Sequence, residues 1–268
     1  MPRSVRWPVL GIFSVLTVVP FLWLLMSSLK TSEEIFADPF GLPGSFSLGN
    51  FTGAWEAHPL GRFLLNSVVV AVVATALIIV ASLLAAYALM YRFRISRAVL
   101  AFLVFGLLLP VNALLVPIFY VINDLRLYNS VWGVALTYAG IFFPTGFLII
   151  KGYMDTTPEE ILEAARMDGA SFHRVFRSVV APLTVPGVVT AAIFLLITTW
   201  NELLFATVLT QDEQAQTVQV GVRFFLTTYA ANYPQAFAAT VMSILPTILV
   251  YVVLSNRVIG GMTAGSLK

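Results

Sequence analysis

The chain has 268 residues, 59% of them hydrophobic and 10% charged, with a net charge of +2 at pH 7 and a mean hydropathy of +0.91. A soluble domain has no use for that much apolar surface, so the class is a polytopic membrane protein. The chain has no cysteine, which excludes disulfides, Cys-ligated metal and a thiol nucleophile; His58 and His173 offer no metal-ligand spacing, and no lysine follows a glycine as a phosphate-binding P-loop requires.

In chain order, residues 7–29 form an apolar run long enough to cross about 30 Å of hydrocarbon. The run is longer than a signal-peptide core, and no small-x-small cleavage site follows Leu29. Residues 30–62 are a Pro-, Gly- and Ser-rich loop, with Phe46, Phe51 and Trp55 suited to an outer interface. Residues 63–90 read as a second span, followed by Arg92, Arg94 and Arg97. Residues 98–122 read as a third, broken by Pro110 and Pro117 with Asn112 between them. Proline in a membrane helix frees carbonyls and kinks the axis, which either opens a cavity or serves packing alone. After a short loop at 123–131, residues 132–150 read as a fourth span, interrupted by Pro144 and Gly146. A polar island at 155–182 separates it from the fifth span, 187–209, which carries Trp200-Asn201-Glu202. The segment 210–235 has an amphipathic core at 218–229, either an interfacial helix or a loop facing a partner. Residues 236–255 form a sixth span with Pro246 inside, and 256–268 a Gly-rich tail. No internal repeat is visible. The expected architecture is a single all-α membrane domain over 1–268 with six transmembrane helices.

Positive charge orients it. Arg3, Arg6, Arg92, Arg94, Arg97, Lys151, Arg166, Arg174, Arg177, Arg257 and Lys268 fall on one side, against Lys30, Arg62, Arg126 and Arg223 on the other. The richer side is cytoplasmic. Both termini and the island are therefore expected in the cytoplasm, with 30–62 and 210–235 outside.

The island holds Asp155, Glu159, Glu160, Glu163, Arg166, Asp168, Arg174 and Arg177. Its pattern is helix, break, helix. Thr157 is placed as an N-cap with Pro158 at the first helical position and Glu160 completing a capping box. Ile161, Ala164, Ala165 and Asp168 share one face, whose small alanines allow another surface to come close to the backbone. Gly169 sits where a left-handed C-terminal cap is expected. Phe172, Val175, Phe176, Val179 and Val180 then repeat at helical spacing, with His173, Arg174 and Arg177 towards the other side, and Pro182 and Pro186 bound that second helix. A DNA-binding helix-turn-helix is excluded by charge, because five acids outnumber three arginines and nucleic acid selects basic surfaces.

Glu163-Ala164-Ala165, then after three intervening residues Gly169, and after nine more Val179-Val180-Ala181-Pro182 resemble the EAA loop of ATP-binding-cassette (ABC) importer permeases, with Val179 and Ala181 replacing the family's Ile and Leu. Leu65-Asn66-Ser67, Ala85-Ala86-Tyr87-Ala88, Trp200-Asn201-Glu202 and the glycine-rich ending Gly260 to Lys268 resemble the carbohydrate-uptake branch, specifically its maltose-type second permease. The resemblance implies a type I importer permease fold whose cytoplasmic coupling helix docks on a separate ATPase through Glu163, Ala164, Ala165, Met167, Asp168 and Gly169. It implies a homologous second permease, an ATPase dimer carrying ATP and Mg, and an extracytoplasmic solute-binding protein, all at a bacterial or archaeal cytoplasmic (inner) membrane. The transported solute would be a sugar or a related polyhydroxylated compound, with a non-sugar polar solute as the alternative. This chain itself would hold no cofactor and no metal, would not be an enzyme and would bind no nucleic acid.

Two other classes compete. An ion-coupled secondary transporter needs ionisable groups within the membrane, and Glu202 is the only one inside the expected spans. An intramembrane enzyme needs a nucleophile with a base, a metal site or paired acids, and the spans hold none of these. Asn112, Asn201 and Glu202 either line a solute pathway or hydrogen-bond neighbouring helices.

Overall fold

The computed structural model describes residues 3–44, 46, 48–91, 93–226 and 232–265. Arg92, the end of the amphipathic segment at 227–229 and the last tail residues, 266–268, lie outside them. The described residues form helices joined by turns and irregular segments and contain no strand. Five helices are long and apolar enough to cross a membrane, and a bent helix pair makes a sixth. The chain divides into two compact units, Met1–Leu64 with Val218–Pro246, and Leu65–Thr217 with Thr247–Lys268.

The first unit opens on α1 (Arg3–Ser27), whose apolar side chains are exposed over most of its length, as a lipid-facing helix requires. Helix α2 (Ser32–Ala37) starts on a capping box. Thr31 accepts from the Glu34 N–H at 3.2 Å, and the Glu34 carboxylate accepts from the Thr31 N–H at 2.9 Å. The backbone N–H groups of Thr31 and Gly44 hold the Glu34 carboxyl below the usual carboxylate range. Lys30 is 2% exposed, with Nζ donating to the carbonyl of Asp38 at 2.9 Å and of Pro39 at 3.4 Å. Asn50, on α3 (Gly49–Ala57), donates to the carbonyls of Ser28 and Lys30, both at 2.9 Å, tying α3 to the end of α1. Of the aromatic residues suited to an outer interface, Phe46 and Trp55 are exposed and Phe51 is half-buried.

The second unit holds most of α4 (Leu60–Met90), then α5 (Ser96–Leu108), a 3₁₀ turn at Val111–Leu114 and α6 (Leu115–Asp124). The expected third span is thus two helices bent by 96°. The break falls at Pro110. Pro117 does not break the chain, because it lies in the first turn of α6, where a missing N–H costs no bond. Helix α7 (Val131–Met154) runs unbroken through Pro144 and Gly146, starting on Ser130, whose side chain accepts from the N–H groups of Trp132 and Gly133. One proline removes one bond, whereas a full break in lipid would strand several.

Helix α8 (Glu159–Met167) is followed by α9 (Phe172–Val175), a π-helical turn at Phe176–Val180 and α10 (Ala181–Asn201). The last three form one helix of 30 residues, Phe172–Asn201. Pro182 and Pro186 therefore do not bound the second island helix. In the π turn, the Ala181 N–H donates five residues back to Phe176. The bonding register has already shifted when the chain reaches Pro182, which has no N–H to place. The expected fifth span ends at Asn201; α11 (Leu204–Leu209) follows a break at Glu202 and Leu203. In the first unit again, α12 (Val218–Gly221) and a 3₁₀ turn at Val222–Phe225 precede α13 (Tyr233–Gly265). The Gly-rich stretch from 256 is therefore helical as far as Gly265.

Helices α7 and α10 approach closely at Gly187. A Cβ there would lie 2.5 Å from Cβ and 2.6 Å from Cγ of Tyr153, the near end of that side chain. Gly187→Val is expected to force the two helices apart at a cost of about 1–3 kcal/mol. Its melting temperature in detergent should fall by about 3 °C or more. An unchanged value would mean that this contact is not close-packed.

Candidate coupling site

The island is built onto the core of the second unit. That core gathers Ile78, Ala86, Tyr87 and Leu89 from α4, Phe147, Ile150 and Met154 from α7, and Ala191 and Leu195 from α10, together with Leu162, Val175 and Val180 from the island. Lys151 and Asp155 pair at 2.6 Å where α7 ends.

Helix α8 begins differently from the expectation. Pro158 is the N-cap, extended at ψ 137, and no side chain caps the helix. Thr157 is one residue too early to form the box. Glu159 and Glu160 lie in the first turn, where the helix dipole favours carboxylates. Leu162 is 7% exposed and faces the core, with Ala165 packed beside it. The rest of the expected face, Ile161, Ala164 and Asp168, is exposed; Glu163 and Gly169 are exposed as well, and Met167 is 89% exposed. Helix α8 thus uses one edge to hold itself to the spans and leaves the other open.

The end of α8 follows the expectation. Gly169 has φ +74. Its N–H donates to Arg166, and that of Ala170 to Ala165, both at 3.0 Å. These are the two bonds of a Schellman cap, which turns the chain sharply into α9.

At the C-terminal end of α4, Tyr87 is 3% exposed. Its hydroxyl donates to the carbonyl of Phe172 at 2.7 Å and lies 2.8 Å from the hydroxyl of Tyr91. Its ring is 4.6 Å from that of Phe172 and 4.9 Å from that of Phe176. The Arg166 guanidinium lies over the Tyr91 ring, 5.2 Å from its centroid. The sequence reading counted Tyr87 only within a motif and missed Tyr91 and Leu162. Two tyrosines four residues apart at the end of an apolar run were the available signal.

The three polar residues considered for a pathway have separate surroundings. Asn112 is exposed on the 3₁₀ turn beside the Pro110 break. Asn201 is exposed, with Nδ2 donating to the carbonyl of Ile197 at 2.8 Å. The Glu202 carboxylate accepts from the N–H groups of Leu204 at 2.8 Å, Phe205 at 3.1 Å and Ala206 at 3.3 Å, and from the Tyr138 hydroxyl. It therefore caps α11 and binds that helix to α7. Among the described residues no group of His, Asp and Glu is arranged to hold a metal.

Comparison with known proteins agrees with this architecture. The family described as "binding-protein-dependent transport system inner membrane component" matches residues 78–257. A diacetylchitobiose uptake system permease of Streptomyces coelicolor is 32% identical over 268 residues, covering 99% of this chain and 89% of the relative. A sulfoquinovosyl glycerol transport system permease of Agrobacterium fabrum is 34% identical, covering 99% and 94%. A melibiose/raffinose/stachyose import permease of Bacillus subtilis is 30% identical, covering 93% and 91%. Among solved structures, a bacterial ABC transporter involved in import of the acidic polysaccharide alginate shares the fold at TM-score 0.80 and 23% identity, over 96% of this chain and 98% of that one. With spans, bent pair and island in place, the chain belongs to the family of binding-protein-dependent transport system inner membrane components.

Proposed function

We propose that this chain is one permease half of an ATP-driven importer for a sugar or related polyhydroxylated solute. It would pair with a homologous permease, an ATPase dimer that binds ATP and Mg, and an extracytoplasmic solute-binding protein. The observation that carries the reading is the exposed edge of α8: Glu163, Ala164, Met167, Asp168 and Gly169 lie open while Leu162 joins the core of the spans. A partner pressing on that edge acts on the core directly. The relatives named for sugar uptake support the choice of solute. The chemistry of the reading is mechanical. Closure of the ATPase dimer displaces α8, and the packed helices switch between two arrangements.

The test is uptake of a panel of disaccharides and oligosaccharides by the assembled transporter in proteoliposomes. ATP-dependent uptake with no ion gradient is expected. Uptake driven by an ion gradient without ATP would overturn the reading.

The proposed orientation puts both termini and 155–182 in the cytoplasm, and 30–62 and 210–235 outside. Since the chain has no native cysteine, single cysteines at Glu34 and Arg94 report it directly. A membrane-impermeant maleimide should label the Glu34 site in intact cells and leave the Arg94 site untouched. The opposite pattern would invert the topology.

A further inference from the structure

We propose that Tyr87 and Tyr91 are positioning residues that latch the second span, α4, to both helices of the coupling loop, so that loop and span move together. The proposal rests on the coupling reading of α8. It begins with the direction of two hydrogen bonds. The Phe172 carbonyl can only accept, so the single Tyr87 hydroxyl proton goes to it at 2.7 Å. The bond between the two hydroxyls, at 2.8 Å, is then donated by Tyr91. A chain of donors thus runs from Tyr91 through Tyr87 to the backbone of α9. Arg166 of α8 sits on the Tyr91 ring, 5.2 Å from its centroid, where the ring quadrupole attracts a cation. Tyr91, one residue past the end of the span, thus grips α8, while Tyr87 on the span grips α9.

The accepting carbonyl also occupies a particular place. It already receives the N–H of Phe176, the first residue of the π turn. The Tyr87 bond thus attaches α4 to the turn of helix just before the one in which the backbone register changes. Apolar contacts of Tyr87 with Phe172 and Phe176 resist separation but permit sliding. A directional hydrogen bond resists sliding as well. The rings hold the loop to the span, and the hydroxyls fix its register there.

The test uses the complete transporter in proteoliposomes, with solute moved per ATP hydrolysed as the readout. Tyr87→Phe keeps the ring and removes the bond. Transport per ATP is expected to fall about fivefold, the population change that one hydrogen bond of ordinary net strength produces. Assembly and melting temperature should change little. Tyr91→Phe should act in the same direction, and the double variant should be no worse than Tyr87→Phe, because the two bonds act in series. If Tyr87→Phe assembles poorly, Tyr91→Phe decides, since Tyr91 is more exposed. An unchanged ratio in the deciding variant overturns the latch. Gly169→Val, measured beside them, separates the two readings. If it uncouples while the tyrosine variants do not, the latch alone fails. If it too is fully coupled, the coupling reading fails.

Discussion

A Gly169→Val variant is expected to reach the membrane at close to the normal level and to lose about tenfold in transport, the effect of about 1.4 kcal/mol. The cause is backbone strain alone. Gly169 sits at φ +74, and beyond its chain neighbours nothing lies within 4 Å of where its Cβ would be, so an added Cβ has open space. Left-handed backbone costs an L-residue about 1–2 kcal/mol, and a β-branched residue is the least suited to it. The spans and the Leu162 contact persist, but the Schellman cap opens and α8 changes its angle to α9. Every residue on the exposed edge of α8 then moves together. Glu163→Ala should be milder, because it removes one exposed side chain and leaves the turn. Transport and ATPase activity, both normalised to assembled complex, check the expectation. Normal uptake by Gly169→Val at normal abundance would remove the loop from coupling.

Glu202→Ala is expected to lower uptake and thermal stability together. Its carboxylate holds three backbone N–H groups at the start of α11 and the Tyr138 hydroxyl of α7. Alanine leaves all four donors without that acceptor, a loss of at least about 2 kcal/mol. Glu202→Gln keeps an acceptor oxygen and should recover part of both properties. A residue that only touched solute would behave differently, losing uptake with an unchanged melting temperature. That outcome would return Glu202 to the pathway.

The spans were legible because hydropathy over about twenty residues is a strong signal in a chain with so little charge. Gly169 was legible because a left-handed cap after a short amphipathic helix has few sequence solutions. Prolines were harder to read. Pro110 bends its span by 96°, while Pro144 leaves α7 intact and Pro182 follows a π turn. What decides between these outcomes is where the displaced backbone bonds find partners, and that is a property of the packed neighbours. The capping box expected at Thr157 failed by one residue, since Pro158 is itself extended. The same pattern at Thr31 and Glu34 went unread inside a loop and formed. The partial legibility of the candidate coupling site has a simple reason. Exposed residues of α8 belong to a local motif, whereas the tyrosines that contact it lie far off in sequence. Glu202 was noticed as a charge in the membrane, but its three N–H partners exist only because the helix breaks at that point.

Under the proposed coupling reading, the continuous helix from Phe172 to Asn201 would serve as a lever arm. At about 1.5 Å per residue its 30 residues extend about 45 Å. Pivoted near one end, a rod of that length turns a 5° tilt into about 4 Å of travel at the other. Displacement applied near Phe172 would thus be magnified at Asn201, where the chain breaks and Glu202 ties α11 to α7. The π turn lies near the driven end of the rod, so any bending there is multiplied along the whole remaining arm, and the stroke at Asn201 depends on that turn staying stiff.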